Sequence, residues 1–183
     1  MNTTLITVLV GLFASPALAA NQDCRSFDGG QTFDRETLCV SSFLAPQSGN
    51  HYDAGSVSDD NVNTAWCEGV KGNGEGERIL IEWENAAPLQ TLWISNGYAK
   101  SSSSFSSNGR VKDVTIALWR QGASQSDYTT FQHRLEDHGV EQNIDIPFPQ
   151  VPLDRVLIRI DSVYPGSKWQ DTCINEIWTD FGM

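Results

Sequence analysis

The stretch SDDNVNTAW, residues 58–66, carries the residue types best suited to binding a metal ion. Asp59, Asn61 and Thr64 offer hard oxygen donors close together in sequence, which are the ligands that calcium prefers. The stretch is not an EF-hand loop, which needs glycine at position six and glutamate at position twelve, because Thr64 and Val70 occupy those positions. The alternative interpretation is a plain turn whose Asp and Asn side chains cap backbone groups. The residues alone leave both interpretations open.

The next segment, residues 67–77, is rich in glycine but does not have the pattern of a phosphate-binding loop. A Walker loop ends in Gly-Lys-Ser/Thr, and a dinucleotide-binding loop follows a strand and opens a helix. Here Gly76 leads into Glu77 and an alternating apolar run typical of a strand. The carboxylates of the segment would also repel a phosphate. We therefore exclude a nucleotide phosphate as its ligand.

Residues able to catalyse a reaction are present without a recognisable catalytic motif. The three histidines are scattered, and no serine or cysteine lies in a nucleophile motif. Glu68 and Glu77 could form an acid and base pair, although acidic loop residues are usually only solvated. We therefore predict that the protein is not an enzyme, and a small hydrolase is the least favoured alternative.

The segment NGYAKSSSSFSSNGRVK, residues 96–112, has a composition suited to binding a sugar, because it combines aromatic rings with amide and cationic side chains. We predict that the ligand-binding residues are Tyr98, Lys100, Asn108 and Arg110, together with Trp169 in the later segment GSKWQDT. The alternative is that the two Asn-Gly pairs are turn residues and that the aromatic rings belong to the core.

Alternation of apolar and polar residues predicts the strands that position these segments. The alternating segments are RILIEWE (78–84), PLQTLWISNGY (88–98), VKDVTIALW (111–119), DYTTFQHRLE (127–136), EQNIDIPF (141–148), DRVLIRIDSVY (154–164) and CINEIWTDF (173–181). No helical stripe exceeds two turns, and residues 99–109 are predicted to be a long surface loop. The pattern predicts an all-β fold, an antiparallel jelly-roll β-sandwich of about eight strands.

The beginning of the chain and its charge predict an exported protein. Residues 1–20 are apolar from Leu5 to Phe13 and end in small residues around Ala17 and Ala19, as a signal peptide does. We predict an N-terminal segment tethered by a disulfide at 21–38, the sandwich at 39–183, and a secreted or periplasmic monomer. No other apolar run is long enough to span a membrane. A net charge of −11 argues against nucleic acid as a partner.

The four cysteines predict two disulfides. An even number of cysteines in an exported chain favours disulfides, and four cysteines allow three pairings. The cysteine spacing contains no C-x-x-C pair, so it does not indicate a zinc site. We favour Cys24–Cys39, which ties down the N-terminal segment, and Cys67–Cys173, which joins distant parts of the chain.

Four motifs, in order, resemble one known family. The stretch SVSDDNVNTAW resembles the D-x-x-x-x-T-x-W signature of discoidin-type, galactose-binding-like jelly rolls. The segments DDNVNTAWCEGVKGNGEGERILIEW, ISNGYAKS, NGRVKDVTI and VYPGSKWQDTCINEI together resemble the F5/8 type C translocation domain of NAD glycohydrolase and its stand-alone relatives. The resemblance covers residues 39–181. In that protein the catalytic region lies in another domain, so the resemblance does not imply cleavage of NAD.

The resemblance also implies a structural calcium between the Asp-containing loop and a glutamate near the C-terminus. Its ligands would be Asp59, Asn61, Thr64 and Glu176, and the site would place Cys67 beside Cys173. One departure is Asp60, where discoidin-like loops commonly have glycine. The family implies a binding module for glycan, with a protein-interaction module for toxin translocation or envelope docking as the alternative, and a hydrolase on the jelly roll as a third.

Overall fold

The structure, a computed structural model, describes residues 22–147 and 150–182. The predicted signal peptide, residues 1–20, lies outside this part of the chain. The described residues form a six-residue helix, α1 (Ser102–Ser107), and a short 3₁₀ helix (Ala54–Val57). They also form ten strands: β1 (Asp23–Asp28), β2 (Arg35–Val40), β3 (Trp66–Cys67), β4 (Arg78–Glu84), β5 (Thr91–Asn96), β6 (Gly109–Arg120), β7 (Thr129–Arg134), β8 (Glu141–Asp145), β9 (Leu153–Tyr164) and β10 (Thr172–Asp180).

The strands pair almost entirely in antiparallel fashion. One set follows the order β1-β2-β4-β9-β6-β7, and the other follows the order β3-β10-β5-β8. A short parallel contact between β6 and β10, at Gly109 and Arg110, joins the two sets. The predicted all-β jelly-roll sandwich is confirmed, with ten strands rather than about eight.

The core lies on the apolar side of the alternating strands. In β4 the buried residues are Ile79, Ile81 and Trp83, as the period of two predicts. The inward-facing apolar residues of β6 and β9 pack into the same hydrophobic core. Burying one large apolar side chain stabilises the fold by about 1.5–3 kcal/mol, so these rows fix the register of the sheets. Trp66 is fully buried here and donates its indole N–H to the Ser42 carbonyl at 2.8 Å.

The N-terminal segment is tethered by the Cys24–Cys39 disulfide and is itself part of the sandwich. β1 and β2 form a hairpin, and all six residues of β2 pair with β4. Leu38 and Val40 of β2 lie in the core. The sandwich therefore begins at Asp23, rather than at residue 39 as predicted from the sequence.

Both predicted disulfides are confirmed. Cys24 and Cys39 are directly opposite each other in the β1–β2 hairpin, with a Cα–Cα distance of 4.0 Å. Cys67 and Cys173 are opposite each other in β3 and β10, with a Cα–Cα distance of 4.1 Å. The second bridge joins residues 106 positions apart and holds the loops at one end of the sandwich together.

The segment predicted as a long loop, residues 99–109, contains helix α1. The Ser101 side chain caps the helix by accepting the Ser104 N–H at 3.0 Å, which is a role that serine favours. Six residues are too few to show a helical period in the sequence. Within the described residues, no helix is long and apolar enough to cross a membrane.

Candidate functional site

The loop from Asp59 to Thr64 closes on itself and on β10. Thr64 Oγ1 lies 2.8 and 2.9 Å from the two carboxylate oxygens of Asp59 and 2.7 Å from the Asn61 carbonyl oxygen. The Asn61 backbone N–H donates to Asp59 Oδ1 at 3.1 Å and to Glu176 Oε1 at 2.9 Å. The structure therefore brings together all four residues that the family resemblance implies as calcium ligands.

Glu176 is the buried member of this group. The residue is 2% exposed, and its second carboxylate oxygen, Oε2, is buried without a hydrogen-bond partner in the structure. Burial raises the pKa of Glu176, the hydrogen bond from the Asn61 N–H lowers it, and the adjacent carboxyl of Asp59, in hydrogen-bond contact, raises it further. Two carboxyl groups in contact repel each other when both are ionised.

These residues fit calcium. Glu176 Oε2 is an unengaged buried hard oxygen, and the Asp59 carboxyl lies in contact with Glu176. A divalent cation there would offset the repulsion between the two carboxylates and give Oε2 a partner. The described ranges contain no group of three or more His, Cys, Asp and Glu side chains able to hold a metal, so the remaining ligands would be carbonyl, hydroxyl and water oxygens. The Asn61 side-chain oxygen already accepts two hydrogen bonds from Asn63, at 3.1 Å each.

The departure at residue 60 has a backbone explanation. Asp60 has a φ of 55°, in the left-handed region where glycine is the usual residue. Aspartate is among the few other residues that adopt this conformation at modest cost. Asp60 therefore occupies a backbone conformation that glycine would also adopt.

An open cleft of about 430 Å³ lies near this loop. Its lining comes from the segment 44–52, from Cys67 and Tyr98, from helix α1 and Asn108, and from the loop 168–171. The Cys67–Cys173 disulfide fastens the base of the cleft. Polar side chains and aromatic rings share the lining, which is typical of small-molecule sites.

Three of the five predicted ligand-binding residues line this cleft: Tyr98, Asn108 and Trp169. The Trp169 side chain is half exposed, at 50%, and the Lys168 ammonium lies 4.6 Å from the centre of its ring. Tyr98 is nearly buried, and its hydroxyl lies 3.1 Å from the Asn63 carbonyl oxygen and 3.3 Å from Asn50 Oδ1. Trp169 is therefore the aromatic surface of the cleft that a ligand can reach.

The other two predicted residues, Arg110 and Lys100, lie outside the lining. Arg110 is buried and forms a two-pronged ion pair with Asp137, at 2.9 and 2.8 Å. It also donates to the carbonyls of Asn108 and Pro165, at 3.0 and 2.9 Å. Lys100 donates to Asn50 Oδ1 at 3.1 Å. Arg110 thus fixes the loops that frame the cleft, and we leave it out of the ligand site.

The remaining cleft residues were not predicted from the sequence. Asn50 belongs to the turn 47–50, and Ser103 and Ser107 belong to one face of α1. Lys168 and Asp171 lie close to Trp169 in the chain and also line the cleft. Only the last two had a signal in the sequence, because they adjoin an aromatic residue already singled out.

The carboxylates considered as an acid and base pair are engaged with the protein. Glu68 is fully buried and accepts the Thr172 N–H at 3.1 Å and the Val70 N–H at 2.8 Å. Glu77 accepts the hydroxyls of Ser41 and Ser42. Burial raises the pKa of Glu68 to about 7, the two backbone hydrogen bonds lower it, and nearby acidic charges raise it. Both groups hold loops in place.

The raised pKa of Glu68 predicts a pH-dependent stability. Because the pKa is about 7 in the folded chain and 4.5 ordinarily, the contribution is fully present below pH 4.5 and is lost as the pH rises through 7. We expect the unfolding free energy of the wild type to fall by about 2 kcal/mol more than that of Glu68→Gln between about pH 5 and 8.5. Urea unfolding in saturating calcium checks this, and parallel pH profiles would contradict it.

The fold, the loop that meets a glutamate of the C-terminal strand and the cleft beside it define the discoidin-like, F5/8 type C class of domains. The chain belongs to the NAD glycohydrolase translocation F5/8 type C domain family, whose profile matches residues 29–180. No curated protein sequence matches the chain significantly.

Three solved structures share the fold. A family 32 carbohydrate-binding module of C. perfringens NanJ, in complex with galactose, is 17% identical, with a TM-score of 0.58 over 78% of this chain and 90% of that one. An F5/8 type C domain from Bacteroides fragilis is 15% identical, with a TM-score of 0.57 over 78% and 88%. Chitosan-binding module 1 of a Paenibacillus sp. IK-5 chitosanase/glucanase is 13% identical, with a TM-score of 0.52 over 79% and 94%.

Proposed function

We propose that this protein is an exported, non-catalytic module that binds glycan in the cleft and holds a structural calcium at the Asp59–Glu176 loop. The observation that carries the glycan proposal is the half-exposed ring of Trp169 in a cleft whose other side chains are largely polar. A sugar presents an apolar face to an aromatic ring and hydroxyls around its edge. The cleft offers partners for both.

The surroundings of Trp169 match this chemistry. Asn108 and serines of α1 line the cleft together with Lys168 and Asp171. The backbone N–H groups of Lys168 and Trp169 donate to the Ser107 carbonyl at 3.1 and 2.8 Å, so the tryptophan loop lies directly beside α1. Amide and hydroxyl groups both donate and accept hydrogen bonds, so they suit a sugar hydroxyl in either role. Two of the structures that share this fold are described as bound to galactose or as binding chitosan, which supports the same ligand class.

A concave site favours glycan over a protein surface as the partner. Stable protein–protein interfaces need a broad contact area with an apolar centre. The large exposed apolar side chains of the described residues come from separate segments: Phe27, Val62, Val70, Val140 and Trp169. Export is supported by the two disulfides, which persist in oxidising compartments.

Asp59 and Glu176 would hold the calcium, with Thr64 and backbone carbonyls as further oxygen donors. Calcium supplies a positive charge that binds hard oxygens and draws the loop and β10 together. The residues of the loop position each other for this role, because Thr64 orients Asp59 and the Asn61 N–H orients Glu176.

Substituting Trp169 tests the glycan proposal. A glycan array on the purified protein identifies a ligand, and calorimetry then measures its affinity for the wild type and for Trp169→Ala. We expect the affinity to fall at least about tenfold, because truncating a central aromatic side chain removes most of the stacking contact. Phe27→Ala is the matched control, since Phe27 is a partly exposed ring outside the cleft. An array without any ligand, or equal affinities for Trp169→Ala and the wild type, would overturn the proposal.

A further inference from the structure

We infer that calcium orders the glycan cleft, and that Tyr98 is the residue that transmits this order. The inference rests on the proposed function and concerns the regulation of the same site. The calcium loop and the cleft are joined by three sets of contacts: a continuous backbone, the Tyr98 hydroxyl, and the side chain of Asn175 on β10.

The backbone connection is the shortest. The chain runs from Thr64 in the calcium loop directly into β3, and Cys67 of β3 lines the cleft. The Cys67 carbonyl accepts the Leu44 N–H at 2.8 Å, and the Cys67 N–H donates to the Tyr52 carbonyl at 3.3 Å. Leu44 and Tyr52 also line the cleft. The calcium loop and one wall of the cleft are therefore neighbours along the chain.

Tyr98 connects the loop to the base and rim of the cleft. Its ring lines the cleft and packs edge-on against Tyr52, with ring centres 6.3 Å apart. Its hydroxyl lies 3.1 Å from the carbonyl oxygen of Asn63, which is inside the calcium loop, and 3.3 Å from Asn50 Oδ1. The same Asn50 oxygen accepts from Lys100. One hydroxyl thus contacts the loop and the turn that forms the rim.

Asn175 fastens the loop to the strand that carries Glu176. It is buried, and its side-chain amide donates to the carbonyls of Thr64 and Val62. On the same strand, Cys173 is bonded to Cys67 at the base of the cleft. The loop, the strand and the cleft are therefore joined by hydrogen bonds and a disulfide. The loop meets β10 at Glu176, whose carboxylate accepts the Asn61 N–H at 2.9 Å.

The cation would bind where the loop meets β10. Without it, the loop is held there by the hydrogen bonds of Asn61 and Asn175. With it, the loop is held against β10, and the Asn63 carbonyl is fixed as an acceptor for Tyr98. Coupling of this kind is reciprocal, so a ligand in the cleft strengthens calcium binding by the same factor that calcium strengthens ligand binding.

Hydrogen–deuterium exchange of the full chain tests the inference without needing the glycan. Exchange is measured in saturating calcium and in chelator, for peptides from the calcium loop (59–64), from the cleft (44–52 and 97–108) and from β9 as a reference. In the wild type we expect calcium to slow exchange in both the loop and the cleft. In the cleft the slowing should be about fivefold, as expected for an effect transmitted by one hydrogen bond, that of the Tyr98 hydroxyl.

Tyr98→Phe keeps the ring and removes the hydroxyl. We expect this variant to retain the calcium response of the loop and to lose most of the response of the cleft. Tyr164→Phe is the matched control, because the Tyr164 hydroxyl donates to the Leu135 carbonyl at 3.1 Å, outside both sites. It should behave as the wild type does.

The outcomes separate the inference from the proposed function. A wild-type loop that responds to calcium beside a cleft that does not overturns the coupling and leaves the calcium site intact. A cleft response that survives in Tyr98→Phe overturns the role of Tyr98. If calcium changes exchange nowhere, the calcium site fails and the coupling fails with it. Glycan binding is judged separately, by Trp169→Ala.

Discussion

Replacing Cys67 and Cys173 together by alanine is expected to lower the free energy of unfolding by about 4–5 kcal/mol. The bridge joins residues 106 positions apart, so its loss releases a long loop in the unfolded chain. Both cysteines are buried, and they hold β3 against β10 at the base of the cleft. Urea unfolding of the variant and of the wild type, without added oxidant or reductant, measures the loss of unfolding free energy.

The second disulfide provides the control. Cys24 and Cys39 are 15 positions apart, so replacing both by alanine should cost about 3 kcal/mol in the same chain-entropy treatment. The pair also lies in a hairpin whose first strand is mostly exposed. We therefore expect the 67–173 variant to be the less stable of the two. The reverse order would show that local packing, rather than loop length, sets the contribution of these bridges.

Much of the sandwich could be predicted because strands such as β4 and β9 are buried mainly on one face. In β4 the alternation of buried and partly exposed residues runs through the whole strand, and the period of two is visible without a structure. The same holds for the core rows of β9. Strands with this pattern have one register that buries the apolar set, so sequence and structure agree.

The elements that were missed lack that pattern for specific reasons. β1 is exposed at five of its six positions, so it has no apolar row to recognise. β3 has two residues and owes its place to β10 and the disulfide. Helix α1 has six residues, of which five are serine, and it forms because Ser101 caps it and Arg110 lies over Phe105. Tertiary contacts decide each of these elements.

The candidate sites depend on pairings across long sequence distances. Asn61 and Glu176 meet although 115 positions separate them, and only the family resemblance pointed to that contact. Arg110 was predicted to bind ligand because its segment combines aromatic, amide and cationic side chains, which suit a sugar. Its partner Asp137 is 27 positions away, in a segment without any motif. Sequence supplies the residue types, and the fold decides which charges are already paired.

Calcium is expected to raise the melting temperature, and Glu176→Gln is expected to remove most of that rise. A ligand that binds only the folded chain stabilises it by about 4 kcal/mol at a thousandfold its dissociation constant. For a domain of this size that corresponds to roughly 8–16 °C. Thermal unfolding followed by circular dichroism, in a calcium series and in chelator, measures the shift.

The two conditions should rank the wild type and Glu176→Gln in opposite orders. In chelator the glutamine removes the repulsion between the carboxylates of residue 176 and Asp59, so the variant should melt at or above the wild-type temperature. In calcium the variant lacks one charged ligand, so the wild type should melt higher. A general packing defect at this buried position would instead lower the melting temperature of the variant in both conditions.

Glu75→Gln is the matched control for the loss of one carboxylate. Glu75 is exposed in the glycine-rich segment, and its carboxylate accepts a hydrogen bond from Asn73 Nδ2 at 3.1 Å, away from the calcium loop. Its calcium response should equal that of the wild type. If chelator leaves the wild-type melting temperature unchanged, or if Glu75→Gln loses the response as Glu176→Gln does, calcium does not bind between Asp59 and Glu176, and the loop is a turn held by Thr64 and the Asn61 N–H alone.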